Sequence, residues 1–327
     1  SVFLEKANIG MGAHVREGCI LEEEANGAHS VGLKQTILFP FVTLGSLINF
    51  CDCLMAGGTS RGNHSEVGSS YIHFNFTPDA DKTTPSLIGD VARGVMLNNP
   101  PIFLGGQGGI IGPVRLGYGN VVAAGSILKK DYPLDNQLIF DLPPSGVTRD
   151  FVPAAYPNLR RILENNIIYI ANLKALAQWY TNVRKPFFEA KEFGSFIYAG
   201  ALDKLMIAQK ERLSRLKIMA HKAAAVTPEN LKSKAASERK VLNENINNIE
   251  AILSADIKDA KAEKAADAFL KEFGQSCGNG NRQYIEIIQK LPTKISTKGT
   301  KWLQNIVNYY CQSISSVIPS IKLFKTL

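Results

Sequence analysis

The chain is poor in cysteine and has no long apolar run. Its five cysteines, Cys19, Cys51, Cys53, Cys277 and Cys311, are odd in number among 327 residues. They make no disulfide framework, and Cys51-x-Cys53 lacks the two-residue gap of a metal knuckle. That usage points to a reducing, cytoplasmic setting. Nowhere do eighteen apolar residues run together, so no membrane-spanning helix is expected. No charged start leads into an apolar block, so no signal peptide is visible. Nor does any pair of histidines stand four apart, and no metal site is expected. The sequence opens at Ser1, inside patterned sequence and without an initiator Met, from which we expect a fragment or processed product.

What is present divides unevenly. Residues 1–150 carry 10 Lys and Arg against 14 Asp and Glu, net −4; the remainder carries 27 against 15, net +12. Glycine does the reverse, with 21 of 27 before residue 151. An acidic, glycine-rich half and a basic, glycine-poor half imply two architectures. The basic half does not by itself point to nucleic acid. Its charges are interspersed, as in KDAKAEKAADAFLKE, which reads as a solvated helix face.

The first half repeats in sixes. Ile9, Val15 and Leu21 are six apart, as are Ile110, Leu116, Val122 and Leu128. A small aliphatic every sixth residue, often followed by Gly, is the hexapeptide signature of a parallel β-helix. Each unit would supply one short strand and one turn, with the aliphatic inward and Gly where the backbone turns tightly. One circuit is not stable alone, so stacking supplies the core. A β-sandwich would instead alternate with period two.

The second half reads as helix. Leu159, Ile162, Leu163, Ile167, Ile170 and Leu173 are spaced by three and four within Asn158–Gln178. Leu202, Leu205, Leu213 and Leu216 mark another helix, and Leu242, Ile246, Ile249 and Leu253 a third. Thr227-Pro228-Glu229 suits a helix start, with a hydroxyl cap and Pro in the first turn. Gly274 can stop a later helix after Phe273. Trp302, Ile306, Tyr309 and Tyr310 belong to a last one. These stripes read as packing faces.

Residues 54–66, LMAGGTSRGNHSE, look like a phosphate-gripping loop. Such a loop belongs between a strand and a helix of an α/β unit. Here the hexads surround it, so it reads as a loop leaving the coil. Arg61 and His64 can still meet an anionic ligand.

Residues 67–90, VGSSYIHFNFTPDADKTTPSLIGD, and 110–131, IIGPVRLGYGNVVAAGSILKKD, carry a resemblance. They are similar to the left-handed β-helix domain of the bifunctional family that acetylates glucosamine-1-phosphate and uridylylates the product. The similarity covers roughly residues 1–135. It implies a left-handed parallel β-helix over 1–140; the separate α-helical region over 151–327, read from its apolar stripes, resembles no family. The similarity also implies a homotrimer, and an acetyl-CoA site between neighbouring chains. Asn75 matches the family's substrate-binding Asn, Lys82 falls near its Lys, and Ala123 and Ala124 match the segment lining the CoA arm. A uridylyltransferase domain would precede Ser1.

The departures concern the base. Asp52 stands where the family has a general-base His, Met55 replaces its Tyr partner, and Glu66 replaces a second Asn. Phe76 replaces a substrate-side Tyr. Amine acetylation needs a base that works near neutral pH, a task that suits imidazole. His64, with Glu66 near it to orient a ring, and His73, two residues before Asn75, are the alternatives. His14, His29 and His221 read as structural or surface residues.

Two functions therefore stand open. One is an enzyme of sugar-nucleotide biosynthesis, with a sugar phosphate or nucleotide sugar as substrate and acetyl-CoA as possible cofactor. The other is a non-catalytic trimerising or regulatory β-helix with a helical appendage.

Overall fold

The computed structural model describes the chain except at residues 142–145, 147, 149, 226–232, 278–282 and 325–327. The Thr227-Pro228-Glu229 helix start lies outside the described residues.

Short parallel strands build the first part. Val2 pairs with Ile20 and Asn8 with Asn26, each eighteen residues on. Seven strands join in one sheet, and ten in another, with a separate two-stranded hairpin. Along the seven-stranded sheet, Leu44, Val67, Leu104, Val122 and Ile139 stand in register and are all buried. Their neighbours Phe103, Val121 and Leu138 point outward, as alternation along a strand requires, and stay exposed.

Two strands are longer. Gly32–Leu38 and Asn49–Met55 run side by side from Gly32↔Asn49 to Leu38↔Met55. Each bends at a residue in the left-handed region, Gln35 (φ 49°) and Asp52 (φ 60°). The bend of the second strand is what positions the candidate site.

The helices lie on these sheets. Leu159–Trp179 buries Leu163, Ile167, Ile170 and Leu173. Its asparagines tie it to the loops beneath. Asn172 accepts from the Val91 amide at 3.0 Å, and Asn166 donates to the Thr83 carbonyl at 3.1 Å. Gly194–Ala225, Ser233–Ser254, Ala260–Cys277 and Thr293–Val317 complete the layer. Trp179, Phe269 and Trp302 stack where three helices meet, with ring centres 5.7–6.3 Å apart. Gly274 does not stop its helix, which continues to Cys277. An interior Gly costs a helix only about 1 kcal/mol. No helix among the described residues is long and apolar enough to cross a membrane.

This corrects the expected fold class. In place of a left-handed parallel β-helix and a separate helical region, the chain has parallel sheets of ten and seven strands with helices packed on them, an α/β arrangement. Strand and helix residues share one hydrophobic core. Six-residue spacing fixes which side chain faces inward in each short strand. It does not say that two strands run on through a bend and merge their neighbours into one large sheet. Nor does it say what covers the flanks, which the apolar helix stripes do here.

Candidate functional site

Apart from Ala123 and Ala124, the site residues singled out in the sequence fall into two groups, at opposite ends of the half-strand Cys53–Met55. Three residues of strand span about 10 Å.

The first group centres on Asp52, at the bend. Arg212, from the helix Gly194–Ala225, donates to Asp52 Oδ1 at 2.8 Å, and both side chains are 2 % exposed. Asn75 donates to Asp52 Oδ2 across a long 3.4 Å. A second Arg212 nitrogen donates to the Lys82 carbonyl at 3.0 Å. The guanidinium thus clips the 76–85 segment over the carboxylate. Burial pushes the Asp52 carboxyl above its ordinary range, against the pull of Arg212. Lys82 is half-buried with a left-handed backbone (φ 55°), and its Nζ makes no hydrogen bond or ion pair among the described residues. His73 is buried, with Nε2 2.7 Å from Ser86 Oγ, which also accepts from the Val114 amide. Burial lowers the His73 pKa to about 4, so the ring is neutral at pH 7.

The second group sits on the hairpin Gly58–Ser60 and Asn63–His64. Its glycines answer a backbone need. Gly57 and Gly58 have φ of 105° and 96°, and a Cβ on Gly58 would lie 2.5 Å from the His64 Cα. Arg61 Nη1 donates to the carbonyls of Glu24 and Phe41 and to Thr43 Oγ1, at 2.9–3.0 Å. His64 Nδ1 lies 2.8 Å from the Arg61 carbonyl. A carbonyl only accepts, so Nδ1 carries a hydrogen, and in the neutral ring the lone pair lies on Nε2. Nε2 lies 3.9 Å from Glu66 Oε2, and the imidazole is 20 % exposed. No hydrogen bond or ion pair joins this group to Asn75 or Lys82 among the described residues.

Ala123 and Ala124 follow the strand Val121–Val122 on the other sheet, Ala123 half-buried and Ala124 exposed. The Ala123 amide donates to the Ile139 carbonyl. Among the described residues, no cluster of His, Cys, Asp and Glu could hold a metal.

Sequence reasoning missed Arg212. Its place in KERLSRLKIMA marks a charge among helix apolars, but nothing local says that it meets Asp52, 160 residues away. It also missed Glu22, Glu23 and Arg184, a buried cluster elsewhere in the fold.

No family model matches the chain. It is similar to curated proteins named "Bifunctional protein GlmU". That of Thermotoga maritima is 28% identical over 133 residues, 41% of this chain and 26% of that protein. Fervidobacterium nodosum has one 29% identical over 135 residues, again 41% and 26%. The protein of Francisella tularensis subsp. tularensis is 32% identical over 131 residues, 40% and 25%. The chain spans about a quarter of the length of these relatives. The similarity is partial, over about two fifths of this chain, and supports a GlmU-like relationship there.

Proposed function

We propose that the chain serves sugar-nucleotide metabolism as a binding and assembling component, and that Asp52 is not a general base in it. The buried Asp52–Arg212 pair carries this reading. A general base must come within hydrogen-bond reach of the proton that it takes. Asp52 already accepts from Arg212 and Asn75, beneath a helix. In this reading Asn75 hydrogen-bonds a sugar phosphate or nucleotide sugar, and Lys82 neutralises a phosphate. The exposed ladder Phe103, Val121 and Leu138 supplies an apolar face for a homotrimer.

One observation favours a second reading, acyl transfer with His64 as base. The Arg61 carbonyl holds the tautomer that leaves Nε2 able to take a proton. Acetyl-CoA would then lie along Ala123 and Ala124, as the resemblance implies, and supply the acyl group. Arg61 would meet an anionic part of the substrate.

Calorimetric titration with UDP-N-acetylglucosamine and glucosamine-1-phosphate, beside a thiol-release assay with acetyl-CoA, tests both. The first reading expects saturable sugar-ligand binding that Lys82→Ala weakens, and no thiol release. Thiol release that survives Asp52→Asn but falls ~10²–10⁴-fold in His64→Ala establishes the second. With neither binding nor release, both readings fail.

A further inference from the structure

A cavity of about 360 Å³ opens between the helices Leu159–Trp179 and Gly194–Ala225 and the segment that follows Ser254. Pockets for small ligands start near that size. Neither Asp52 nor His64 lines it. Leu202, Met206, Gln209 and Leu213 follow one another at spacings of four, three and four along one helix face and form a wall. Part of the apolar lining is closed core, because Leu205, Leu253 and Ile306 are at most 1 % exposed. Leu202 and Ile257 are half-buried and Met206 is 46 % exposed, so an entering molecule meets these side chains. An unbranched thioether left open beside two aliphatics suits a flexible apolar chain.

The polar side of the cavity is cationic. Lys174 Nζ donates to the Ser254 and Ala255 carbonyls at 3.2 and 3.3 Å, and both bonds are exposed to solvent. The Tyr310 hydroxyl donates to the same Ala255 carbonyl at 2.9 Å, so this helix end already has its donors. An ammonium carries three hydrogens. Two are used here, and the third has no partner among the described residues, where no carboxylate pairs with Lys174 either. Burial lowers the Lys174 pKa, a cost that a neighbouring anion would offset. Lys210 lines the cavity too, exposed and without an ion pair among the described residues. Against these two cations stands Asp256, the one acid of the described lining, itself exposed. The balance is two positive charges to one negative, and an anion is favoured over a cation.

We propose that this cavity binds a small amphipathic carboxylate. Its head accepts from the third Lys174 N–H and is drawn in by Lys210. Its apolar chain lies over Leu202, Met206 and Ile257. The site is independent of the sugar-ligand reading and of both Asp52 and His64.

Titration calorimetry on the full chain at pH 7, with octanoate and its neutral counterpart octan-1-ol, tests the proposal. The two share an eight-carbon chain and differ in the charged head. Octanoate should bind saturably and at least about tenfold tighter than the alcohol, the scale of one charge-assisted hydrogen bond. Lys174→Met should remove that preference. Because Lys174 also caps a helix end, this variant can lose stability. Met206→Glu changes an exposed side chain and brings a carboxylate into the cavity mouth. It should weaken octanoate binding at least about tenfold while the circular dichroism spectrum stays that of the wild type. No saturable octanoate binding to the wild type, equal binding of octan-1-ol, or undiminished octanoate binding in Met206→Glu would overturn the proposal.

Discussion

Two buried charges decide how Asp52 behaves. A carboxylate taken out of water loses hydration that a single partner replaces only when the geometry is good. Arg212 provides that geometry and also holds the Lys82 carbonyl. Removing it leaves a bare buried charge and frees the 76–85 segment. Arg212→Ala should therefore cost about 3–5 kcal/mol in chemical denaturation. Arg212→Met with Asp52→Asn should recover most of the loss, because no charge is then stranded. A loss below about 1 kcal/mol for the single variant would mean that the pair is absent in solution. His73 sets a pH dependence of its own. Its pKa is about 4 in the fold, against an ordinary 6.5. The unfolded chain therefore takes up the proton first. The resulting stability is present above pH 6.5 and is lost as pH falls through about 4. That shift is worth about 3 kcal/mol. His73→Gln should flatten the fall of the urea midpoint across this window. Parallel profiles for the two proteins would rule the histidine out as the cause.

The elements meet at an aromatic junction. The chain has only two tryptophans, and they sit 6.3 Å apart with Phe269 stacked against both. This junction binds the helices Leu159–Trp179, Ala260–Cys277 and Thr293–Val317 together. Trp302→Ala should cost about 3–5 kcal/mol, the usual range for emptying a buried aromatic site. Near-ultraviolet circular dichroism should lose most of its indole signal at once, because the remaining tryptophan keeps no indole partner. A retained signal with unchanged stability would show that the helices pack otherwise. The Gly57–Gly58 pair belongs to this scale too. Its positive φ angles serve the hairpin that carries His64, and the pair needs no ligand to explain it.

Across the whole molecule, the outward ladder Phe103, Val121 and Leu138 is continuous through three paired strands. Phe103 is 40% exposed and Leu138 is 64% exposed. Contiguous apolar surface of this kind commonly marks an association face. Light scattering of the purified chain should give three times its 35.7 kDa. Phe103→Glu, a charge placed within that face, should return it to a single copy without unfolding it. A monomer at micromolar concentration before any substitution would reject the trimer.

The inward aliphatics, the helix stripes and the break in composition near residue 150 were legible in the sequence, because local periodicity records which side of an element meets the core. Leu116 and Val122 are buried where six-residue spacing put them, and Leu163, Ile167 and Ile170 line the helix that three-and-four spacing marked. The hairpin glycines were legible as a loop for the same local reason. What the tertiary structure alone decided was the company each functional candidate keeps. Asp52 meets Arg212 across 160 positions, and Glu23 meets Arg184 across 161. Desolvation and charge pairing depend on groups brought together in space, and a chain's local pattern carries no record of so distant a partner. The same limit hid the fold class. Spacing tells one strand which way to face, but the merging of bent strands into one ten-stranded sheet, and its cover of helices, follows from burying both sets of apolar faces at once.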